Sequence, residues 1–150
     1  MKIYVDADAC PVVEEIEKIA KRYEIDVILL CDTNHVLRSR YSQVIVVDAG
    51  ADRVDFALLG KICKGDLAIT QDYGLAAMVL SKGAYGLHPN GMEYRDEMID
   101  ALLAQRHFAQ EQRRRTAKNH MKGPKKRSAL DDQNFCEALE RIILAHGFSG

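Results

Sequence analysis

The sequence of 150 residues contains no tryptophan and only three prolines, and none of its apolar runs approaches the ~20 residues of a membrane-spanning helix. With ten glycines and 47% hydrophobic residues, it is neither collagen-like nor a low-complexity disordered chain. No two of its four cysteines have the C-x-x-C spacing of a zinc ribbon or a dense disulfide framework. The chain reaches an acid, Asp6, after only three apolar positions, so we expect no signal peptide and a reducing, cytoplasmic location.

The net charge of −1 conceals a strong asymmetry along the chain. Between Arg106 and Arg127, nine Lys and Arg residues stand against a single acid, Glu111, which leaves +8 on this segment and −9 on the rest. Residues 106–130 are called the basic arm below. Such an arm predicts a polyanion as partner, held by its backbone, with packing against the acidic body as the alternative. The candidate nucleic-acid contacts in the arm are Arg113, Arg114, Arg115, Lys118, Lys122, Lys125, Lys126 and Arg127.

Short runs of Val, Ile and Leu alternate with helical patterns along the whole chain. Continuous apolar strands of this kind are typical of a parallel sheet that is covered by helices on both faces. We therefore predict a single domain over residues 1–150, a three-layer α/β/α structure with a mostly parallel five-stranded sheet and a C-terminal helical extension. The predicted strands cover residues 3–6, 27–31, 44–47, 67–70 and 85–88, and the predicted helices cover 11–22, 52–63, 73–81, 92–118 and 131–146, the last capped by Asp131 or Asp132.

Several acids follow directly after the predicted strands. The carboxyl ends of parallel strands meet at one edge of an open sheet, where ligands bind. Asp6 and Asp8 follow the first strand and Asp72 follows the fourth, whereas Asp52 and Asp55 begin the helix after the third strand, on one helix face. Clustered carboxylates repel one another unless a cation neutralises them, and oxygen ligands suit Mg²⁺ or Mn²⁺. The predicted catalytic residues are Asp6, Asp8, Asp55 and Asp72, the predicted metal ligands are these four and Asp52, and Thr70 is a predicted nucleic-acid contact.

Other polar residues near the predicted strand ends have simpler interpretations. Asp32 precedes Thr-Asn and is typical of a turn, and Asp66 lies at the opposite edge of the sheet, where a structural role is expected. Asp48 fits either role. Cys10 is predicted to be a packed thiol rather than a nucleophile, because no histidine is close to it in the sequence. The two histidines at 35 and 88 are predicted to lie in turns or on the surface.

Four segments of the chain carry a family resemblance. They are residues 6–11 (DADACP), 50–55 (GADRVD), 65–76 (GDLAITQDYGLA) and 122–125 (KGPK). In this order and over nearly the whole chain, they resemble the YaiI/YqxD family of bacterial proteins, which is functionally uncharacterised and is similar to PIN-like nuclease domains. The resemblance implies that Asp6 is the acid that ends the first strand of a PIN-like domain. It also implies that Asp55 or Asp52 is the acid of the middle helix, and that Asp72 is the acid of a Thr-x-Asp motif. Asp8 and the Cys-Pro after it depart from the usual PIN pattern.

Three functions fit these residues. The first is a nuclease dependent on Mg²⁺ or Mn²⁺ that acts on RNA or structured nucleic acid, with metal on the acids and the substrate backbone on the basic arm. The second is a phosphatase in which Asp6 attacks phosphorus and Asp8 carries a proton, a mechanism that also needs a lysine such as Lys64 or Lys82. The third is a non-catalytic RNA-binding module whose acids cap helices. We expect nucleic acid, RNA in the first place, as partner and no membrane, and we leave association into a homo-oligomer open.

Overall fold

The computed structural model describes residues 1–8, 10–101 and 126–147, and the predicted α/β architecture is confirmed. Within these residues, six strands form one sheet, one more than predicted. The strands are β1 (Ile3–Asp6), β2 (Val27–Asp32), β3 (Gln43–Val47), β4 (Leu67–Ile69), β5 (Tyr85–Leu87) and β6 (Glu93–Tyr94). The helices are α1 (Val13–Arg22), α2 (Arg53–Lys61), α3 (Tyr73–Ser81), α4 (helical over 96–101 in the described residues) and α5 (Ala129–His146).

The strand order of the sheet is β3-β2-β1-β4-β5-β6. The first five strands are parallel, and β6 pairs with β5 in the antiparallel direction. The chain builds the sheet outward from β1 to β3, then returns to the other side of β1 with β4. The order therefore reverses between β1 and β4, and the crevice at the carboxyl ends of these two strands is where such sheets bind ligands.

Two hydrophobic layers hold the helices on the sheet. One face of β1 and β2, carrying Val5 and Leu29, packs with α1 and with Phe135 and Leu139 of α5. The other face carries Leu30 and packs with α2 and α3. The central strands are buried on both faces, as their continuous apolar sequences predict, whereas β3 at the edge is only half-buried.

The region after β5 differs from the prediction. A helix is predicted from Met92, but Glu93 and Tyr94 form β6, and the helix begins at residue 96. The backbone N–H of His88 donates to the carbonyl of Met92 at 2.8 Å, which closes a hairpin, and Gly91 takes a φ of +97° in its turn. A two-residue strand is too short to show a periodic pattern, so local patterning contains no signal for β6.

The start of the C-terminal helix also differs from the prediction. Ser128, and not Asp131 or Asp132, is the N-cap of α5. The Asp131 side chain accepts the backbone N–H of Ser128 at 2.9 Å, and the Ser128 hydroxyl accepts the N–H of Asp131, which makes a reciprocal capping box. In the described part of the chain, no helix has both the length and the apolar character needed to cross a membrane.

Candidate functional site

Asp6 and Thr70 lie side by side at the point where the strand order reverses. Asp6 ends β1, and Thr70 follows β4, the strand that pairs with β1 through Val5 and Ile69. The Thr70 hydroxyl, 1% exposed, donates to Oδ2 of Asp6 at 2.9 Å and accepts the backbone N–H of Asp72 at 3.0 Å. One buried hydroxyl therefore fixes the Asp6 carboxylate and the turn that carries Asp72, and Thr70 is too buried for the nucleic-acid contact predicted for it.

Asp72 is the N-cap of α3. Its Oδ1 accepts the backbone N–H groups of Gly74 at 2.8 Å and Leu75 at 3.2 Å, which satisfies the first turn of the helix. Asp55, in the first turn of α2, forms a side-chain hydrogen bond with Asp72. The acids from β1, α2 and the β4–α3 turn are thus neighbours at this edge of the sheet.

The charges of these acids act on one another. Burial, together with the neighbouring charges of Asp72, Asp6 and Asp52, raises the pKa of Asp55 to about 6. Burial also raises the pKa of Asp6; the hydrogen bond from Thr70 opposes this shift, and the charges of Asp8 and Asp72 add to it. Asp6, Asp55 and Asp72 are called the acid cluster below. Mutual repulsion of this kind is the condition that a bound cation relieves.

Asp8 and Asp52 lie beside the acid cluster. Oδ1 of Asp8 accepts the backbone N–H of Asp32 at 3.2 Å and lies 3.8 Å from Nδ1 of His35, so Asp8 is oriented towards the end of β2. Asp8 nevertheless lines the same cleft of about 450 Å³ as Asp6 and Asp72. Asp52 is the N-cap residue of α2, in the left-handed region with a φ of 61°.

Asp66 and Asp32, which the sequence suggests are structural, accept hydrogen bonds from nearby backbone N–H groups. The Asp66 carboxylate accepts the backbone N–H groups of Lys2 at 3.0 Å and Cys63 at 2.9 Å, at the opposite edge of the sheet. Asp32 accepts the N–H of Asn34 at 2.9 Å and pairs with Nδ1 of His35 at 2.8 Å. This pairing raises the pKa of His35 and lowers that of Asp32.

The contacts of His88 and Cys10 also indicate structural roles. Nδ1 of His88 accepts the N–H of Asn90 at 3.0 Å in the turn after β5. Cys10 is half-buried beside the cleft, and burial raises the pKa of its thiol to about 11. The thiol is therefore protonated at neutral pH, which is unsuited to a nucleophile.

Tyr94 supports the site and has no motif in the sequence. Its buried hydroxyl donates to the carbonyl oxygen of Thr70 at 2.9 Å, and its ring lies against Gly86, where an added Cβ would be 3.2 Å from the ring. Tyr73, which lines the cleft, packs edge-on against Tyr94 with ring centroids 6.1 Å apart. β6 thus fixes the turn that holds Asp6 and Asp72.

Two of the predicted nucleic-acid contacts in the basic arm lie within the described residues. Lys126 is exposed just before α5. Arg127 pairs with Oδ1 of Asp132 at 2.6 Å and donates to the carbonyl of Pro89 at 2.6 Å, so it holds the start of α5 against the β5–β6 turn. The others lie outside the described residues: Arg113, Arg114, Arg115, Lys118, Lys122 and Lys125.

The acid cluster offers only carboxylate oxygens, and the Thr70 hydroxyl stands beside them. Mg²⁺ and Mn²⁺ prefer such hard oxygen ligands and keep part of their water shell. The half-open cleft leaves space for water and a substrate oxygen next to Asp6 and Asp72. The chemistry of these residues therefore suits a divalent cation of this type. Among the described residues, the three ligand groups that lie within 4.8 Å of one another belong to Asp8, Asp32 and His35, beside the acid cluster, and the three carboxylates of the cluster itself are not grouped so closely.

The fold and the acid cluster define an α/β protein with a carboxylate site where its strand order reverses. Residues 4–145 match the model of a family described as "Uncharacterized BCR, YaiI/YqxD family". The chain is 54% identical over 144 residues to a UPF0178 protein of Clostridium acetobutylicum, an alignment that covers 96% of this chain and 97% of the relative. It is 48% identical over 144 residues to a UPF0178 protein of Lachnoclostridium phytofermentans, covering 95% and 97% of the two chains. The chain belongs to the YaiI/YqxD family.

One solved structure also aligns with the chain, that of Rae1 (YacP) from Bacillus subtilis. The alignment covers 97% of this chain and 99% of that one, with 15% identity and a TM-score of 0.45. A similarity at this level does not define a shared activity.

Proposed function

We propose that this protein is a PIN-like phosphodiester hydrolase that cleaves nucleic acid, RNA in the first place, with Mg²⁺ or Mn²⁺ held by the acid cluster. The observation that carries the proposal is the convergence of three carboxylates from separate segments beside an open cleft where the strand order reverses. Asp8 and Asp52, at either side of the cluster, are the further candidate ligands.

The chain's own residues orient the proposed ligands. Thr70 holds the Asp6 carboxylate at 2.9 Å, and the amino end of α3 holds Oδ1 of Asp72 through two N–H groups. The cation, when bound, would neutralise the carboxylates and stabilise charge on the attacking and leaving oxygens of the phosphodiester. The fixed side chains reduce the reorganisation that ligand and substrate binding would require.

The geometry disfavours the phosphatase hypothesis. Nζ of Lys82 donates to the carbonyl of Leu59, and Lys64 packs against Gly83 at the far end of α3. Both lysines lie at the end of α3 opposite to Asp72, so neither meets the requirement for a cation beside Asp6.

The test is hydrolysis of mixed RNA and DNA by the purified full chain in Mn²⁺ or Mg²⁺. We expect activity that a chelator removes and that Asp6→Asn or Asp72→Asn lowers by at least about 100-fold, because each variant loses a proposed ligand. Asn also caps helices, so Asp72→Asn should keep α3 intact. The matched control is Asp26→Asn, an exposed acid just before β2, which should cleave like the wild type.

Metal binding is measured separately from activity. Mn²⁺ should raise the melting temperature of the wild type and of Asp26→Asn, and should raise that of Asp6→Asn much less. RNA binding without cleavage under any of these conditions would instead identify a non-catalytic RNA-binding module.

A further inference from the structure

The groove between α2 and α3 is an apolar surface that the proposed cleavage reaction does not use. On α2, Val54 and Leu58 are buried, whereas Phe56 is 67% exposed. Across the groove on α3, Met78 is 53% exposed. Two large apolar side chains therefore face solvent on neighbouring helices, where burial does not explain their presence.

This groove is continuous with the acid cluster. It has a volume of about 230 Å³, and its lining includes Phe56 and Met78 at the apolar side and Asp55 and Asp72 at the polar side. Asp72 also lines the cleft of about 450 Å³ that contains Asp6. The acids thus stand between two depressions, and a ligand held at the cluster would extend into the groove.

A nucleotide has matching chemistry. Its phosphate would be attracted by a cation on the acid cluster, whereas the described residues that line the groove carry no positive charge to hold a second phosphate. An aromatic ring with a neighbouring thioether suits the flat, polarisable face of a base, and base–aromatic contacts tolerate any sequence. The groove is smaller than the roughly 300–1,000 Å³ of sites for drug-sized ligands, which suits a single base.

We propose that the groove binds the nucleobase next to the cleaved phosphodiester, with Phe56 as its stacking surface. The proposal rests on the proposed function for the orientation of the strand. A second copy of this chain is the alternative occupant, and the dependence of quenching on protein concentration distinguishes it.

The absence of tryptophan from the chain gives a direct probe. Phe56→Trp introduces a single indole whose fluorescence a stacked base quenches. The matched control is Leu144→Trp, at a position 61% exposed on α5, a helix that packs on the other face of the sheet. Both variants are titrated, in Mn²⁺, with a short cleavage-resistant phosphorothioate oligoadenylate and with an abasic oligomer of the same backbone and length.

We expect saturable quenching of Phe56→Trp by the oligoadenylate, little by the abasic oligomer, and none of Leu144→Trp by either. Phe56→Ala should weaken oligoadenylate binding by about 5-fold or more and leave the affinity for the abasic oligomer unchanged. Equal quenching by both oligomers, or unchanged affinity in Phe56→Ala, would overturn the proposal. Quenching that depends on protein concentration without any oligomer would assign the groove to a second copy and also overturn it.

The two proposals fail in different ways. If the wild type and Phe56→Ala cleave equally and no base-specific quenching occurs, the base site is wrong and the nuclease stands. If the wild type cleaves no nucleic acid in Mn²⁺ but base-specific quenching occurs, catalysis is wrong and the groove is a base-binding site.

Discussion

Replacing Asp55 with asparagine tests whether repulsion within the acid cluster destabilises the metal-free protein. Asparagine cannot carry the negative charge, yet it can donate a hydrogen bond to Asp72 as a protonated Asp55 does. Because the pKa of Asp55 rises from 3.8 to about 6 on folding, its protonation stabilises the fold fully below about pH 4. That contribution is lost as the pH rises through about 6, so the repulsion is present at pH 7.5.

The size of the effect follows from the pKa. A rise of one unit corresponds to about 1.4 kcal/mol, which for a fully shielded group would amount to about 3 kcal/mol here. Asp55 is only half-buried, and solvent screens its charge, so we expect Asp55→Asn to gain about 1 kcal/mol at pH 7.5. For a chain of this length, that is a rise of about 2–4 °C in melting temperature.

The assay is urea unfolding in a chelator at about pH 5 and pH 7.5. The wild type should lose stability between the two pH values relative to Asp55→Asn, and Asp26→Asn should follow the wild type. Mn²⁺ should then stabilise the wild type more than Asp55→Asn, because the variant lacks a proposed ligand. A variant no more stable than the wild type at pH 7.5, with the same pH dependence, would refute the repulsion argument.

Three further predictions concern other parts of the chain. Cys10→Ser should keep hydrolytic activity within about twofold, since the protonated thiol has no part in the proposed chemistry; complete loss with normal folding would indicate a thiol mechanism. Gly91→Ala should destabilise the fold by about 2 kcal/mol or more in urea unfolding, because the φ of Gly91 is +97° and the new Cβ would lie 2.7 Å from the Asn134 carbonyl oxygen. Gly60→Ala is the control and should be neutral or stabilising, because Gly60 lies in α2 with open space around it. Replacing the three arginines at 113–115 with alanine should reduce the log–log salt slope of single-stranded RNA affinity by about 0.7 for each phosphate that an arginine neutralises, and an unchanged affinity would assign the basic arm to packing.

Local patterns predicted the central part of the fold. The apolar runs that end in Asp6 and Asp32 are buried strands, because a parallel strand covered on both faces needs apolar side chains on both. Local patterns do not predict β6, because this short strand depends on a distant contact, the hydrogen bond from Tyr94 to the Thr70 carbonyl. The N-cap of α5 is predicted at least three residues late because Asp131, an acid that could cap a helix, is instead the partner of the Ser128 cap in a capping box.

In the candidate site, too, local sequence patterns predict some features, whereas others depend on distant contacts. The rule that ligands bind at the carboxyl ends of parallel strands places Asp6 and Asp72 at one edge of the sheet, where the Thr70 hydroxyl joins them. The orientation of Asp8 could not be predicted, because it depends on a backbone N–H donated from the neighbouring strand at Asp32. The exposure of Phe56 depends on how α2 and α3 pack, which a pattern along one helix does not contain.

The central position of β1 affects when the acid cluster can form during synthesis. Asp6 and Thr70 are 64 positions apart, and Tyr94, which holds the Thr70 carbonyl, is 24 positions further on. At the ~5–20 residues per second of a ribosome, Asp6 exists for several seconds before its hydrogen-bond partner has been made. The nascent chain therefore carries separate acids rather than an assembled centre until β6 has emerged. If the cluster cleaves RNA as proposed, a nascent chain cannot itself cleave the messenger that encodes it until nearly the whole sheet has been synthesised.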